Sequence, residues 1–332
     1  MQLDPDAALR ELRWTRSDPP GLASDDAERR SIYVAALQQF EELLGAARQA
    51  GPATKALPLF YALSQAGRAI VAAHGEFPRT FGHGLGEVPA TDGSDVPLLH
   101  REVKRRRGGH DTFGAVAAAT RSGDFDGRVE LGAAWVANPN SPRVSLHRWR
   151  PDWRLALLAQ ERQRGQGSPA GVQGIRAFPF CDPLAATSDH ADSVAAGGRY
   201  PSIPESATTT IQQVENDGER SWRAVIDWPE CADSIDSVAP EIDGLRYLIP
   251  SLPGQTQMLS PLMLWWVLLF GFSIYARYHP ELWVRSLDVD SDADAVGVER
   301  ILEAALDHVP GIVYSAAIGS FNPTPFCAND AR

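Results

Sequence analysis

The sequence predicts a mainly helical α+β fold, in which a helical bundle formed by N- and C-terminal helices carries an inserted middle subdomain of mixed structure with a β-hairpin. Three observations predict it. Apolar residues recur at helical spacing between residues 28 and 74 and again after residue 258. Between these stretches the chain turns rich in Pro, Gly, Ser and Asp, with short alternating apolar runs. Two of those runs, Ala207–Val214 and Trp222–Trp228, flank Asn216-Asp217-Gly218, the turn chemistry of a tight hairpin.

Residues 1–27 are polar and contain Pro, and are expected to form a loosely packed lead-in. Ser24-Asp25-Asp26 offers an N-cap for a helix to Gln49, whose apolar side holds Ile32, Leu37, Phe40, Leu43, Leu44 and Ala47. Gly51-Pro52 breaks it, and a second helix follows from Ala53 to Ala73. Leu59, Phe60, Leu63, Ala66, Ile70 and Val71 line that helix, and His74-Gly75 ends it. Helices joined so tightly pack antiparallel. Residues 28–122 form this N-terminal part and residues 123–250 the inserted subdomain. Within the insert, Val144–Trp149 reads as a strand, Leu155–Arg162 as a short helix, and 163–174 and 185–198 as loops. Residues 251–320 complete the helical core. A helix over Leu259–Tyr278 stops at Pro280, and another over Ala293–His308 carries Val296, Ile301, Leu302, Ala305 and Leu306 before Pro310-Gly311. Residues 321–332 are a tail.

Composition narrows the classes. With 44% hydrophobic and 22% charged residues, the chain has the balance of a globular protein. Cys181, Cys231 and Cys327 are odd in number and lie in no CxxC pair, which fits a reducing, cytoplasmic setting. The first residues lack a basic region followed by an apolar one, so no signal peptide is expected. Met258–Ala276 is free of charge over a length that could cross a bilayer. Pro261 near its start, and flanks holding only Arg246 and Arg277, favour a buried core helix instead, and no membrane partner is expected. A net charge of −11 suits phosphate backbones poorly unless a local basic patch serves them.

Two segments carry a family resemblance. Phe60-Tyr61-Ala62-Leu63-Ser64-Gln65-Ala66-Gly67-Arg68-Ala69, followed by Gly82-His83-Gly84-Leu85, resembles the N-terminal signature of the YaaC-like proteins of bacteria. Ala276-Arg277-Tyr278-His279-Pro280-Glu281-Leu282-Trp283 resembles the ARY-x-P-x-x-W signature near that family's C-terminus. Together they extend the resemblance over residues 30 to 318, loosely in the middle. The family brings no settled activity. A more distant similarity is to HEPN domains, helical modules frequent in toxin–antitoxin and anti-phage systems, whose ribonuclease members use an Arg-x(4–6)-His motif across a dimer interface. That similarity implies a HEPN-like helical bundle.

Five constellations are candidate sites. Arg68 and His74 have the Arg-x5-His spacing, in which a His moves protons and an Arg stabilises the charged transition state of RNA cleavage. Six residues along a helix set the two side chains about 120° apart, so a joint site needs the helix to end there or a second chain to contribute. The alternative is a paired Arg and a His at the helix C-terminus. His83, between glycines, faces a ligand or a partner helix, or is hydrogen-bonded within a structural turn. Arg277, Tyr278 and His279 end the apolar helix, and Ser64-x3-Arg68 echoes Ser273-x3-Arg277, so two guanidinium groups would converge on one anion if the helices pack side by side. Otherwise each caps its own helix. The basic run Arg101 to Arg107, with Lys104, Arg105, Arg106 and Arg107, would bind nucleic acid or an acidic partner, or else form a solvated loop or an intramolecular acidic contact. Asp288, Asp290, Asp292, Asp294 and Glu299 match the EF-hand positions, but Ala293 replaces the turn glycine, and helix capping explains the acids equally well, so no metal is expected.

No cofactor is implied. Expected partners are RNA or a nucleotide, a protein in a multi-component system, and a second copy of the chain as a homo-oligomer. Three readings stay open: an interaction or effector component of a bacterial stress or anti-phage system, a metal-independent ribonuclease using Arg68 and His74, and a non-catalytic dimeric scaffold.

Overall fold

Helix begins earlier than the sequence predicts. In the computed structural model, which describes residues 4–77, 82–89, 96–106, 111–142, 155–162, 171–179, 199–216, 219–229, 235–239, 241–242 and 244–320, the expected lead-in is helix α1 (Pro5–Thr15). Asp4 caps it, its carboxylate accepting from the Ala7 N–H at 2.9 Å, and Pro5 suits the first helical position. Ala8, Leu9 and Leu12 are buried, so a short apolar stripe anchors a segment whose overall polarity suggested loose packing.

The next two helices form where expected. α2 (Ala27–Gln49) is capped by Asp26, and α3 (Pro52–His74) follows Gly51. They are antiparallel: the Arg29 guanidinium, at the start of α2, donates to the carbonyls of Val71, Ala72 and Gly75 at the end of α3. The Val71 carbonyl also accepts from the Gly75 N–H at 2.9 Å, and a cation at this end of the helix is favoured by the helix dipole. Arg29 lies over the Phe77 ring at 4.6 Å.

After α3 comes a small antiparallel sheet that periodicity did not reveal: β1 (Leu85–Glu87), β2 (Glu102–Arg105) and β3 (Arg128–Glu130), in that order. β2 occupies part of the basic run, for which a solvated loop was one expectation. The short helix α4 (Thr112–Ala119), capped by Asp111, precedes β3, and α5 (Leu131–Ala137) follows it.

The chain divides into two compact units, one of residues 2–135 with 259–321 and the other centred on 136–258. The latter contains an antiparallel sheet of β4 (Leu157–Glu161), β5 (Val172–Pro179), β6 (Thr208–Asn216), β7 (Glu219–Pro229), β8 (Glu241–Ile242) and β9 (Leu245–Leu248). Its order is β6-β7-β5-β4-β9-β8. The hairpin forms as expected, with Asn216 opposite Glu219 across a two-residue connection. Residues 157–161, expected as helix, are strand β4: Leu157 and Ala159 are buried at a period of two, and the strand pairs with β5 and β9. β5 likewise begins inside the run read as loop, at Val172. On β7, Trp222, Ala224, Ile226 and Trp228 are buried in alternation. Helix α6 (Ile235–Val238) is a single turn. The strand expected at Val144–Trp149, the loop at 185–198, Asp217-Gly218 of the hairpin turn and the three cysteines lie outside the described residues.

α7 (Pro261–Tyr278) is the uncharged helix, and everything from Leu262 to Tyr275 is buried. Its approach to α3 is close. A Cβ on Gly67 would sit 2.5 Å from the Trp266 ring, and one on Gly271 would sit 2.4 Å from Leu131. Among the described residues, one helix, Pro52–His74, is long and apolar enough to cross a membrane, and 67% of its apolar window is buried inside the protein. Pro280 does not end the helical region; it begins α8 (Pro280–Arg285), whose Trp283 donates its indole N–H to the Ala53 carbonyl at 2.9 Å. α9 (Ala295–Ala317) runs nine residues beyond its expected end at His308 and continues through Pro310. Val309, Pro310, Val313 and Ala317 are buried, and this packing outweighs the backbone hydrogen bond that proline removes. Val296, assigned to the apolar side, is exposed, and Val298 is buried in its place.

Candidate functional site

The loop before β1 is held by its own backbone and by one arginine. Gly84 has φ +75°, and a Cβ there would meet the Asp111 carboxylate at 2.0 Å. Glycine is therefore required on both conformational and steric grounds. The Gly84 carbonyl accepts from the Arg106 N–H at 2.9 Å and from Arg105 Nη1 at 2.8 Å. The Gly82 carbonyl accepts from the Thr112 N–H at 2.9 Å. His83, between these anchored glycines, is consequently fixed in position.

Its imidazole packs between helices, 5.3 Å from the Phe60 ring of α3 and 6.1 Å from Phe270 of α7. Burial first, then the positive charges of Arg277 and Arg68, hold His83 below the usual histidine value. One imidazole thus senses both arginines of the two family-like segments. Among the described residues its ring nitrogens take no hydrogen bond. Arg277 donates from Nη1 to the Tyr61 hydroxyl at 3.0 Å and from Nε to the Ser273 carbonyl at 3.1 Å. Its guanidinium lies 5.7 Å from the Tyr61 ring and 5.1 Å from the Tyr278 ring. Tyr278 is 64% exposed and Tyr61 38% exposed. Arg277, two accessible phenol rings and, through Phe60, the His83 imidazole so share one neighbourhood. Such a group attracts an anion and gives an aromatic portion of the ligand a surface.

The other predicted residues go elsewhere. His74 Nε2 lies 2.6 Å from the Ala317 carbonyl at the end of α9, with Gly21 and Gly319 against its ring. This contact joins the C-terminal ends of two helices. His279 Nε2 lies 2.7 Å from the Glu87 carboxylate, beside the buried Tyr275 ring. Of the basic run, Arg105 has a side chain only 4% exposed, paired with Asp111 and Asp124 at 2.9 Å each and lying over Phe113 at 5.1 Å. A guanidinium so engaged is structural and is not available to nucleic acid. Arg101 donates to the Val96 carbonyl. Lys104 is half-buried on β2, Arg106 is exposed, and Arg107 lies outside the described residues. The EF-hand-like acids turn inward on their own loop: Asp288 accepts from Ser291 Oγ at 2.5 Å and from the Asp290 N–H, while Asp292 accepts from the Asp294 N–H. Among the described residues no three His, Cys, Asp or Glu side chains group as a metal site.

Residue-type reasoning overlooked Tyr61, Phe60 and Phe270. Tyr61 was legible in principle, because it stands seven residues before Arg68, close to two helical turns, and so on the same side of α3. The two phenylalanines looked like plain core.

A family model described as YaaC-like Protein matches residues 10–139 and 199–317, most of the chain. The chain belongs to the YaaC-like family. Tyr61, Arg68, His83, Arg277 and Tyr278 of this YaaC-like chain all fall inside the matched stretches, whereas β4 and β5 fall in the gap between them. No curated protein and no solved structure matches the chain.

Proposed function

We propose that this YaaC-like chain is a binding component, of the interaction or effector type, that captures a phosphate-bearing ligand, nucleotide or nucleic acid, at Arg68, His83 and Arg277. The single observation that carries the reading is that the Arg277 guanidinium is held at the Tyr61 hydroxyl beside the exposed Tyr278 ring, next to the Phe60 ring on which the half-buried His83 packs. Guanidinium groups match phosphate oxygens in pairs, and a partly desolvated setting strengthens that match. The HEPN-like character of the helical core, and a place in a stress or anti-phage system, belong to the same proposal and rest on the Phe60–Ala69 segment. The hydrogen bond of His74 to Ala317 weighs against RNA cleavage through an Arg68–His74 pair.

The test is equilibrium binding of pyrophosphate, a panel of nucleotides and a mixed-sequence RNA to the full chain. At least one is expected to bind, and Arg68→Gln and Arg277→Gln are each expected to weaken it by about tenfold or more, the scale of one lost charge-assisted pair. Absence of binding by all of them, or binding indifferent to both substitutions, removes the reading.

A further inference from the structure

We propose that this chain pairs with a second copy of itself, through a basic row on the outer face of the small sheet and an acidic stripe on α9. The inference is independent of the phosphate-binding reading, since none of its residues belongs to that site.

The basic row follows from strand register. Leu85, Val103 and Val129 are buried on the inner face of β1, β2 and β3, so the residues alternating with them point outward. Gly86 stands opposite Lys104, and Lys104 opposite Arg128, in one line across the three strands. Gly86 leaves room for a neighbour: a Cβ there would sit 2.0 Å from Arg106 Nε, so the Arg106 guanidinium lies over it. Three cations thus cross the sheet at the strand spacing, over about 10 Å. Like charges directly opposite one another destabilise a sheet, and an anionic surface laid along the row relieves that cost. Among the described residues no acid bonds the Lys104 ammonium or the Arg106 guanidinium, and Arg128 reaches just Glu102, at 3.6 Å on the surface. An exposed pair of that kind holds its partners weakly.

The acidic stripe follows from helical spacing. Glu299, Glu303 and Asp307 recur at every fourth position of α9 and are all exposed, which sets them about 6 Å apart along a line of about 12 Å. Glu303 bonds the buried Lys55, while Glu299 and Asp307 have no bonded cation among the described residues. Arg300 borders the stripe, one cation beside three acids, and Val296, 48% exposed, adds an apolar contact near its start.

The two patches are opposite in sign and similar in length, and both lie in the helical unit. A second copy fits the row better than a nucleic acid does. The row holds no aromatic side chain on which a base would stack, and the chain already carries a counter-surface of the required length. At a net charge of −11, two copies repel unless a basic patch of one is turned toward acids of the other, so the row also sets how they approach. When each row meets the other copy's stripe, the same contact is made twice about a two-fold axis, and the product is a dimer.

The experiment measures the molar mass of the full chain over a range of concentrations at about 0.15 M salt. Its variants reverse charge: Lys104→Glu with Arg128→Glu in the row, and Glu299→Lys with Asp307→Lys in the stripe. The wild type is expected to form dimers, and either reversal to weaken dimerisation about tenfold or more, because like charges then face each other. Combining all four changes in one chain, or mixing the two reversed proteins, is expected to restore dimers, since each row again meets a stripe of opposite sign. Thermal melts separate a lost contact from a lost fold. A wild type that stays monomeric, dimers that ignore both reversals, or a loss that neither combination restores overturns the proposal. A mixed-sequence RNA that binds the monomer and is lost on reversing the row assigns the row to nucleic acid and overturns it as well.

Discussion

At the scale of single residues, Gly84 and His83 act as a pair. Gly84 takes a left-handed conformation with the Asp111 carboxylate where a Cβ would stand, so Gly84→Ala is expected to cost about 1–3 kcal/mol in chemical denaturation. The same substitution should move the His83 ring signals in an NMR spectrum, because the loop cannot keep its position. His83 itself brings a pH dependence. The unfolded imidazole takes up its proton near 6.5, and the folded one, buried beside Arg277 and Arg68, does so at lower pH. Over that interval the unfolded state binds more protons, so stability falls as the pH is lowered through 6.5 and levels off once the folded ring is also protonated. Comparing denaturation midpoints of the wild type and His83→Asn between pH 7 and 5 should show a flatter profile in the variant. An equal slope in both would assign the acid sensitivity to other groups. His74→Ala should lower stability by about 1 kcal/mol through loss of the bond to Ala317 and leave nucleotide affinity unchanged. At this scale the residues that the proposed function uses, Arg68, His83 and Arg277, stand out in the sequence by type and spacing. For Arg105 an intramolecular acidic contact was one reading among several, and its partners were not legible because Asp111 and Asp124 only meet it once β2 and α4 have formed.

At the scale of elements, the contact of α3 with α7 is set by glycine. Gly67→Ala would drive a methyl group into the Trp266 ring and is expected to destabilise the chain by about 1–3 kcal/mol, with the melting temperature as the measure. The α2–α3 pair depends instead on Arg29, which satisfies carbonyls left over at the end of α3. Arg29→Ala should cost about 1–2 kcal/mol and show as faster amide exchange in the last turn of α3, leaving the first turn unaffected. Helices with long apolar stripes were legible, and so was the hairpin, because Asp-Gly turn chemistry is local. What escaped were elements defined by contacts outside themselves. α1 carries just three buried residues, β1 to β3 are three or four residues long, and α9 passes through a proline that local rules treat as a stop. In each case packing from distant segments overrode the local preference.

At the scale of the whole molecule, the helical unit is assembled from two stretches of chain separated by the sheet-bearing unit. α7 is apolar on all sides because α3, α4, α8, α9 and the small sheet all pack on it. That burial explains how an uncharged run long enough to span a bilayer is accommodated inside a protein. A chain shortened to end at Met258 should lose the thermal transition of the helical unit and associate, since Leu59, Phe60, Leu63 and Ile70 on α3 would lie open. Light scattering of the shortened chain, compared with the full one, checks this.

The fit of Trp266 against Gly67 also has a meaning in time. Those two positions are almost two hundred residues apart in the chain. A ribosome adding about 5–20 residues per second needs roughly 10–40 seconds to travel from one to the other. Throughout that interval the α2–α3 pair has emerged with a greasy flank and no partner, while the strands of the insert are being made. The newborn chain therefore passes through an obligatory waiting period in which its stickiest surface is uncovered. Its survival then depends on how the cell shields that surface until the ribosome delivers the missing helix.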